Sequence, residues 1–343
     1  MLRNAPSIPV AEQAHVLRCI DSYGRHAMAF QTLEPGYRYF FDGTDCCIPY
    51  VDTGGAWIAA GNPLTPAADL AVGIERFANA AHAAGKRWCV FGADDELRNA
   101  CTATTLNLPI GVQPEWNPAA WDATVAKHAS LRSQIRRAGA KHVTVRLLTA
   151  TELQAPAMQA ALDELRASWL RGRAMATMGF LVQLELNSYP DRRRMFVAYR
   201  DNALVGAANV VPVPGRPGWF IEDLLRVPAA PNGTAELLVH TVMQWAAAQQ
   251  CTWLTMGLAP LAGTVATPLR WARQVGNRWY NFDGIYQFKA KLHPAAAPPL
   301  YLLYPRGTRA PRYVLDVLTA FAPDGLWRFA LQTARRMPTL RGR

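Results

Sequence analysis

A chain of 343 residues with 50% hydrophobic and 18% charged residues is long enough for two ordinary domains and too apolar to stay disordered. No window offers about 18 consecutive apolar residues, which excludes a membrane-spanning helix, and Arg3, Glu12 and two prolines precede any apolar run, so no secretory signal is expected. The formal charge of +11 is localised: six basic residues and no acid lie from Lys127 to Arg146, and eight arginines face only Asp316 and Asp324 from Arg306 to Arg343. Such faces attract the phosphates of nucleic acid or of an anionic membrane.

In chain order, Val10 to Ser22 is compatible with a helix, and strands are expected near Ala27 to Phe41, Asp45 to Val51 and Trp57 to Ala60. A long alanine-rich helix follows from about Ala67 to Ala84, then the strand Trp88 to Phe91, closed by Gly92 and the acidic helical start Asp94-Asp95-Glu96. The basic helix Lys127 to Ala138 leads into a strand at Val143 to Leu148. A second unit then repeats the plan. Its helix, Thr151 to Leu170, carries Leu153, Met158, Leu162, Leu165 and Trp169 at helical spacing, with Pro156 set to delay its start. Strands are expected near Phe180 to Leu186, Met195 to Arg200, Ala203 to Val211 and Trp219 to Val227, with Asp201-Asn202 as a hairpin turn. A helix from Ala235 to Gln249, a strand from Trp253 to Gly257 and a helix from Pro268 to Val275 complete it. Mixed units of this kind indicate α+β layers rather than a doubly wound sheet.

Beyond Pro305 the composition turns basic, and Tyr313 to Phe321 and Gly325 to Met337 can each form a short helix. These can lie on a membrane surface or pack on the second domain. The six cysteines include no C-x-x-C pair, and the adjacent Cys46 and Cys47 suit neither a metal knuckle nor a disulfide framework, so reduced thiols in a cytoplasmic protein are expected. Seven dispersed histidines without H-E-x-x-H give no metal site. Arg192-Arg193-Arg194 reads as a solvated face, or as part of a tRNA-binding surface.

The stretch from Phe220 to Thr234 is the most informative. A strand ends in Glu222, Asp223 and Arg226 and runs through a Pro/Gly-rich turn into a helix opened by Asn232, Gly233 and Thr234. Bare amides at such a start are capped by side chains or hold an anion, and phosphate is the obvious candidate. In the plainer alternative Asn232 or Thr234 caps the helix and Asp223 pairs with Arg226. Two later segments bear on this choice: Thr255 to Gly263, a strand end and tight turn, and Tyr280 to Pro294, which couples aromatics to Lys289 and Lys291. If the latter segment is a strand the two lysines share a face, and if it is a helix they diverge.

In order and spacing these three segments, with Ala56 to Pro63 and Leu131 to Ala138, resemble the C-terminal catalytic domain of the phosphatidylglycerol lysyltransferases, the soluble half of the multiple peptide resistance factors. The resemblance spans most of residues 14 to 305. It implies two tandem GNAT-like acyltransferase domains, 1–147 and a catalytic 148–305, followed by a basic helical tail at 306–343. It also implies an aminoacyl-tRNA donor and no cofactor. The place where acetyl-transferring members of the fold hold coenzyme A carries Pro231-Asn232-Gly233-Thr234 here, without the R/Q-x-x-G-x-G/A signature.

On that basis Asp223, Arg226, Lys289 and Lys291 are the expected catalytic residues, Asp223 for proton transfer or for gripping the donor's amino group. Glu222, Asn232, Gly233, Thr234, Tyr280, Asn281 and Tyr286 are expected to bind substrate, and Arg132, Arg136 and Arg137 to bind tRNA. Phosphatidylglycerol is the leading acceptor, with peripheral contact at the inner face of the membrane. The large membrane domain that accompanies many members is not in this sequence, and Asn277-Arg278 stands where lipid-modifying members carry an acid, so a soluble small-molecule acceptor stays open. A coenzyme A-dependent N-acyltransferase and an idle tRNA- or membrane-binding module are the rival readings.

Overall fold

The computed structural model describes residues 10–171, 180, 184, 186–263 and 282–322. The strands are β1 (Arg38–Phe41), β2 (Cys47–Asp52), β3 (Ala56–Ala60), β4 (Arg87–Ala93), β5 (Thr105–Val112), β6 (Glu115–Trp116), β7 (Val143–Leu147), β8 (Arg194–Arg200), β9 (Ala203–Val213), β10 (Gly218–Arg226), β11 (Trp253–Thr255), β12 (Ala259–Pro260) and β13 (Pro299–Pro305). The helices are α1 (Val10–Tyr23), α2 (Leu70–Ala83), α3 (Asp95–Ala100), α4 (Trp121–Lys127), α5 (Ala129–Ala140), α6 (Ala150–Gln154), α7 (Pro156–Arg171), α8 (Thr234–Ala248), α9 (Phe282–Ala290) and α10 (Ala310–Phe321). They build an α+β protein of two mixed sheets, ordered β1-β2-β3-β4-β13-β5-β12 and β6-β11-β10-β9-β8-β7.

Each sheet has its own helical cover. Leu70, Ile74, Phe77, Ala78 and Ala81 recur at helical spacing and press α2 onto β2, β3 and β4. Phe77 is fully buried amid Phe40, Tyr50 and Trp57, and burying such a ring is worth about 2–3 kcal/mol. On the other face of this sheet α10 sets Tyr313, Val317 and Ala320 against Ile58, Cys89 and Leu302. In the second sheet α8, with α4 and α5 beside it, covers one face, and α7 covers the other through Leu162 and Leu165. The sheets meet where Val16, Ile20 and Phe30 pack against Val211, Val213 and Phe220.

Several expectations change for identifiable reasons. Residues 27–33 are a 3₁₀ helix rather than a strand: a continuous buried run does not by itself separate strand from helical turn, and here Thr32 Oγ1 closes the turn on Ala29 O at 2.7 Å. Pro156 splits the expected 151–170 helix in two, because Ala155 before it is held extended at φ −62°, ψ 130°. Residues 105–112, where the pattern gives no strand, form β5.

The division at 147/148 is not the one the strands make. β6, α4, α5 and β7 precede it yet build the second sheet and its cover, while β12 and β13 follow it yet join the first sheet, β13 inserting between β4 and β5. Strand partners are chosen by long-range pairing, which local periodicity does not carry. Within the expected tail, α10 is a core element of the first sheet and its Asp316 pairs with Arg87 at 2.5 Å. The expected 268–275 and 325–337 helices lie outside the described residues, as does most of the 180–186 strand. All six thiols are free and buried. Among the described residues no helix is long and apolar enough to cross a membrane, and no cluster of three or more metal-ligating side chains occurs.

Candidate functional site

The site begins with an irregularity in β10. Its antiparallel register with β9 slips between Ile221 and Asp223, which makes Glu222 an extra residue in the strand. Ile221 and Leu224 pack into the α8 core, whereas Phe220 and Leu225 pack on the opposite face. A regular strand would direct Glu222 and Asp223 to opposite faces. With the bulge both carboxylates reach one amide: Asn209 Nδ2 donates to Glu222 Oε2 at 3.2 Å and to Asp223 Oδ2 at 3.0 Å.

The ladder opens at the same point. β10 pairs with β11 in parallel only from Gly218 to Phe220, after which the chain leaves through Gly257, at φ 70°, to pair as β12 with β5 of the other sheet. A Cβ at Gly257 would also stand 2.9 Å from the Phe220 ring, so both conformation and space call for glycine there.

Behind the carboxylates lies a guanidinium removed from water. The Arg193 side chain is 0% exposed and forms ion pairs with Glu222 and with Glu34, which follows the 3₁₀ helix at the sheet interface. Its Nη2 donates to Ser188 Oγ at 2.8 Å and its Nε to Ser188 O at 2.6 Å, and Ser188 Oγ donates to Glu34 Oε1 at 2.6 Å. Arg193 thus pairs with two buried carboxylates, and its charge also acts on the third, Asp223. Burial, and then the neighbouring Glu222, push the Asp223 carboxyl up to about 8, against the opposing bond from Asn209. Asp223 therefore holds a proton near neutrality while Glu34 and Glu222 share Arg193. Two polar atoms in or beside this cluster, Asn209 Oδ1 and Tyr37 Oη, are buried without a hydrogen-bond partner. Such a group marks a place where a ligand or water completes the bonding.

The other expected residues are dispersed. Arg226 is exposed at the end of β10 and makes no ion pair with Asp223. Because α9 is a helix ending at Ala290, Lys289 and Lys291 diverge. Lys289 is buried and donates to the carbonyls of Met256, Gly257 and Leu258 at 2.7, 3.0 and 2.9 Å, fixing the turn after β11, and burial lowers its proton affinity to about 7. Lys291 pairs with Glu236 in the first turn of α8 at 2.5 Å.

At the start of α8, Asn232 is exposed, Thr234 Oγ1 donates back to Pro231 O at 2.7 Å, and Gly233 has φ 96°. A Cβ on Gly233 would lie 2.0 Å from Gln134 O, so α5 crosses directly against the turn. Tyr286 is half-buried, and Tyr280 and Asn281 lie outside the described residues. Arg132 caps α4 by donating to Val125 O and Ala126 O at 3.1 and 2.5 Å, while Arg136 and Arg137 are exposed.

Sequence reasoning missed Arg193, Glu34 and Ser188. Of the arginine triplet, Arg192 does lie at the surface against Asp21, but Arg193 is inside. Asn209 had a legible signal, since it is the one amide within the apolar run Ala207-Ala208-Asn209-Val210-Val211.

Two interlocked mixed sheets, with a buried acid at a strand bulge where the ladder opens, define an α+β protein. The family model described as "Phosphatidylglycerol lysyltransferase, C-terminal" matches residues 17–304, and the chain belongs to that family. Its fold is that of L-PGS from Bacillus licheniformis, with a TM-score of 0.77 and 19% identity over 93% of this chain and 99% of that one. The C-terminal DUF2156 domain of an assigned lysylphosphatidylglycerol synthetase from Agrobacterium fabrum gives a TM-score of 0.77 and 22% identity over 90% and 96%. The phosphatidylglycerol lysyltransferase of Bacillus subtilis (strain 168) is 33% identical over 156 residues, which are 40% of this chain and 17% of that protein. The bifunctional protein LysX of Mycolicibacterium vanbaalenii is 25% identical over 276 residues, 75% and 24% of the respective chains. The chain thus spans a quarter or less of these two curated relatives.

Proposed function

We propose that the chain is an aminoacyltransferase that moves an amino acid from aminoacyl-tRNA to a hydroxyl of phosphatidylglycerol at the inner face of the membrane. The observation that carries this is the β10 bulge, which brings Glu222 and Asp223 onto Asn209 where the ladder to β11 opens. In the transfer, the acceptor oxygen bonds to the acyl carbon, the ester bond to the terminal ribose breaks, and the acceptor's proton ends on the ribose oxygen. A carboxyl group titrating near neutrality serves both ends of that proton movement. Asp223, pushed up to about 8, is such a group. The Glu222 carboxylate, beside the protonated Asp223, supplies negative charge for the donor's ammonium.

Coenzyme A fits poorly, because Gln134 of α5 lies against Gly233, where a diphosphate would otherwise meet the free amides of α8. Exposed Lys127, Arg136, Arg137 and Lys141 supply a face for tRNA. Contact with an anionic bilayer fits α10, whose Leu315 and Leu318 are 54% and 49% exposed beside Arg309 and Arg312. The test is reconstitution with vesicles of phosphatidylglycerol and charged tRNA carrying a labelled amino acid. Aminoacylated lipid should form with charged tRNA and not with the free amino acid. Transfer supported by acetyl-CoA but not by charged tRNA would refute the proposal.

A further inference from the structure

A pair of histidines at the seam between α4 and α9 takes no part in the acidic cluster. His128 closes α4 and opens α5, and His293 stands just beyond α9 in the left-handed region at φ 51°. Their imidazole centroids are 3.3 Å apart and their planes are inclined by only 9°. Both rings border an open depression of about 550 Å³, whose remaining wall is Thr124, Lys127, Pro294 and three alanines. Lys127 is exposed at its rim.

Two imidazoles stacked face to face repel each other when both are protonated, and a lysine alongside adds to the repulsion. Burial, then His293, then Lys127 accordingly lower the proton affinity of His128. The other charges on the packed elements do not offset this. On α5, Arg132 is committed to the carbonyls closing α4, and Lys289 of α9 to the turn after β11. On α8, Glu236 is held by Lys291, and His240 accepts from Trp121 Nε1 at 2.9 Å. Asp122 at the start of α4, Asp283 at the start of α9 and Glu115 of β6, whose backbone pairs with residues 295–296, are the remaining acids of the packed elements, and none of them lines the depression. A depression bordered by two imidazoles and a lysine is therefore short of negative charge, and an anion there would let a ring protonate and donate a charge-assisted hydrogen bond.

We infer that this depression is a phosphate site and that its occupant is a backbone phosphate of the RNA donor. The inference rests on the tRNA dependence proposed above. RNA is favoured over a lipid headgroup because Lys127 at the rim leads in sequence into α5, which carries exposed Arg136 and Arg137 and is followed by exposed Lys141, whereas the exposed leucines lie on α10, which packs on the other sheet. The expected consequence is binding that tightens as pH falls, since the ligand selects the state in which a ring carries a proton.

The test follows the ring proton signals of His128 and His293 in the full chain by NMR, adding inorganic phosphate and then a single-stranded RNA ending in CCA. Both signals should move, and the RNA should bind about tenfold more tightly near pH 6 than near pH 8. His128→Gln and His293→Gln should each flatten that dependence while retaining the thermal transition. Because the wild-type titration needs no variant, an unfolded variant does not protect the idea. Unmoved ring signals, or RNA binding with the same pH dependence in the variants, would overturn the site. Signals that move with phosphatidylglycerol vesicles and not with RNA would overturn the choice of occupant. Neither readout requires turnover: transfer from charged tRNA with unmoved rings removes this site alone, and His-dependent RNA binding without any transfer removes the proposed activity and leaves the site.

Discussion

Replacing Asp223 with asparagine should make the protein more stable and nearly inactive, and the size of the first effect follows from the buried cluster. An acid raised in the folded state from an ordinary carboxylate value to about 8 binds a proton that the unfolded chain has already released. Between those values the native state therefore binds more protons, and stability falls as pH rises, by about 1.4 kcal/mol per unit for a fully isolated group. Glu222 shares the titration, so a loss on the order of 2–4 kcal/mol by pH 7 is the reasonable scale. Asparagine keeps the shape and carries no charge to desolvate. Urea melts of wild type and Asp223→Asn should nearly coincide around pH 4–5 and separate with increasing pH, the variant becoming the more stable, as the linkage requires. Turnover should drop by about 10²-fold or more. Parallel stability curves across this range would refute the claim that Asp223 is a desolvated, protonated acid, and undiminished turnover would remove it from the reaction.

Three further outcomes are expected. Arg193→Met leaves Glu34 and Glu222 buried without their cation and should cost about 3–5 kcal/mol in urea unfolding at neutral pH, less in acid where both carboxyls can protonate. Lys289→Met strips the donors from three carbonyls of the turn after β11 and should cost about 2–3 kcal/mol, with faster amide exchange at residues 256–258 as the local readout. Leu315→Gln with Leu318→Gln should weaken flotation on phosphatidylglycerol vesicles by about tenfold or more without lowering the melting temperature, since both side chains already face solvent.

How far the sequence could be read depended on the range of the interaction involved. Helices α2 and α8 announce themselves through apolar spacing of three to four, and strands β8 to β10 as apolar runs bounded by charged or turn residues, which are local properties. The acid at the end of β10 was legible for the same reason, as a charged pair closing an apolar run. The bulge was not, because it exists only relative to β9, and Glu222 and Asp223 read as alternating until the register slip is known. Arg193 was hidden in a triplet whose composition says surface. It is inside because Glu34, 159 residues earlier, and Glu222 meet it there. The two lysines of the 280–294 segment drew attention by spacing, yet one is absorbed by the carbonyls of a turn and the other by Glu236.

The same long-range contacts explain why the site needs both sheets. Glu222 belongs to the second sheet and Glu34 to the segment entering the first, and a single guanidinium neutralises both. If Glu34 were withdrawn, Arg193 would be matched by Glu222 alone, and Asp223 would feel one buried negative charge fewer. Glu34 adds to the upward push on Asp223, behind burial and Glu222. Glu34→Gln should therefore lower the Asp223 carboxyl toward its ordinary range and shift the acid limb of the pH–rate profile of transfer downward. The same substitution also weakens the ion pairing that joins the segment after the 3₁₀ helix to the strand ahead of β8, so a loss of stability alone would not discriminate. The displaced pH limb would, because a contact that only holds two layers together has no reason to move the titration of an acid on another strand.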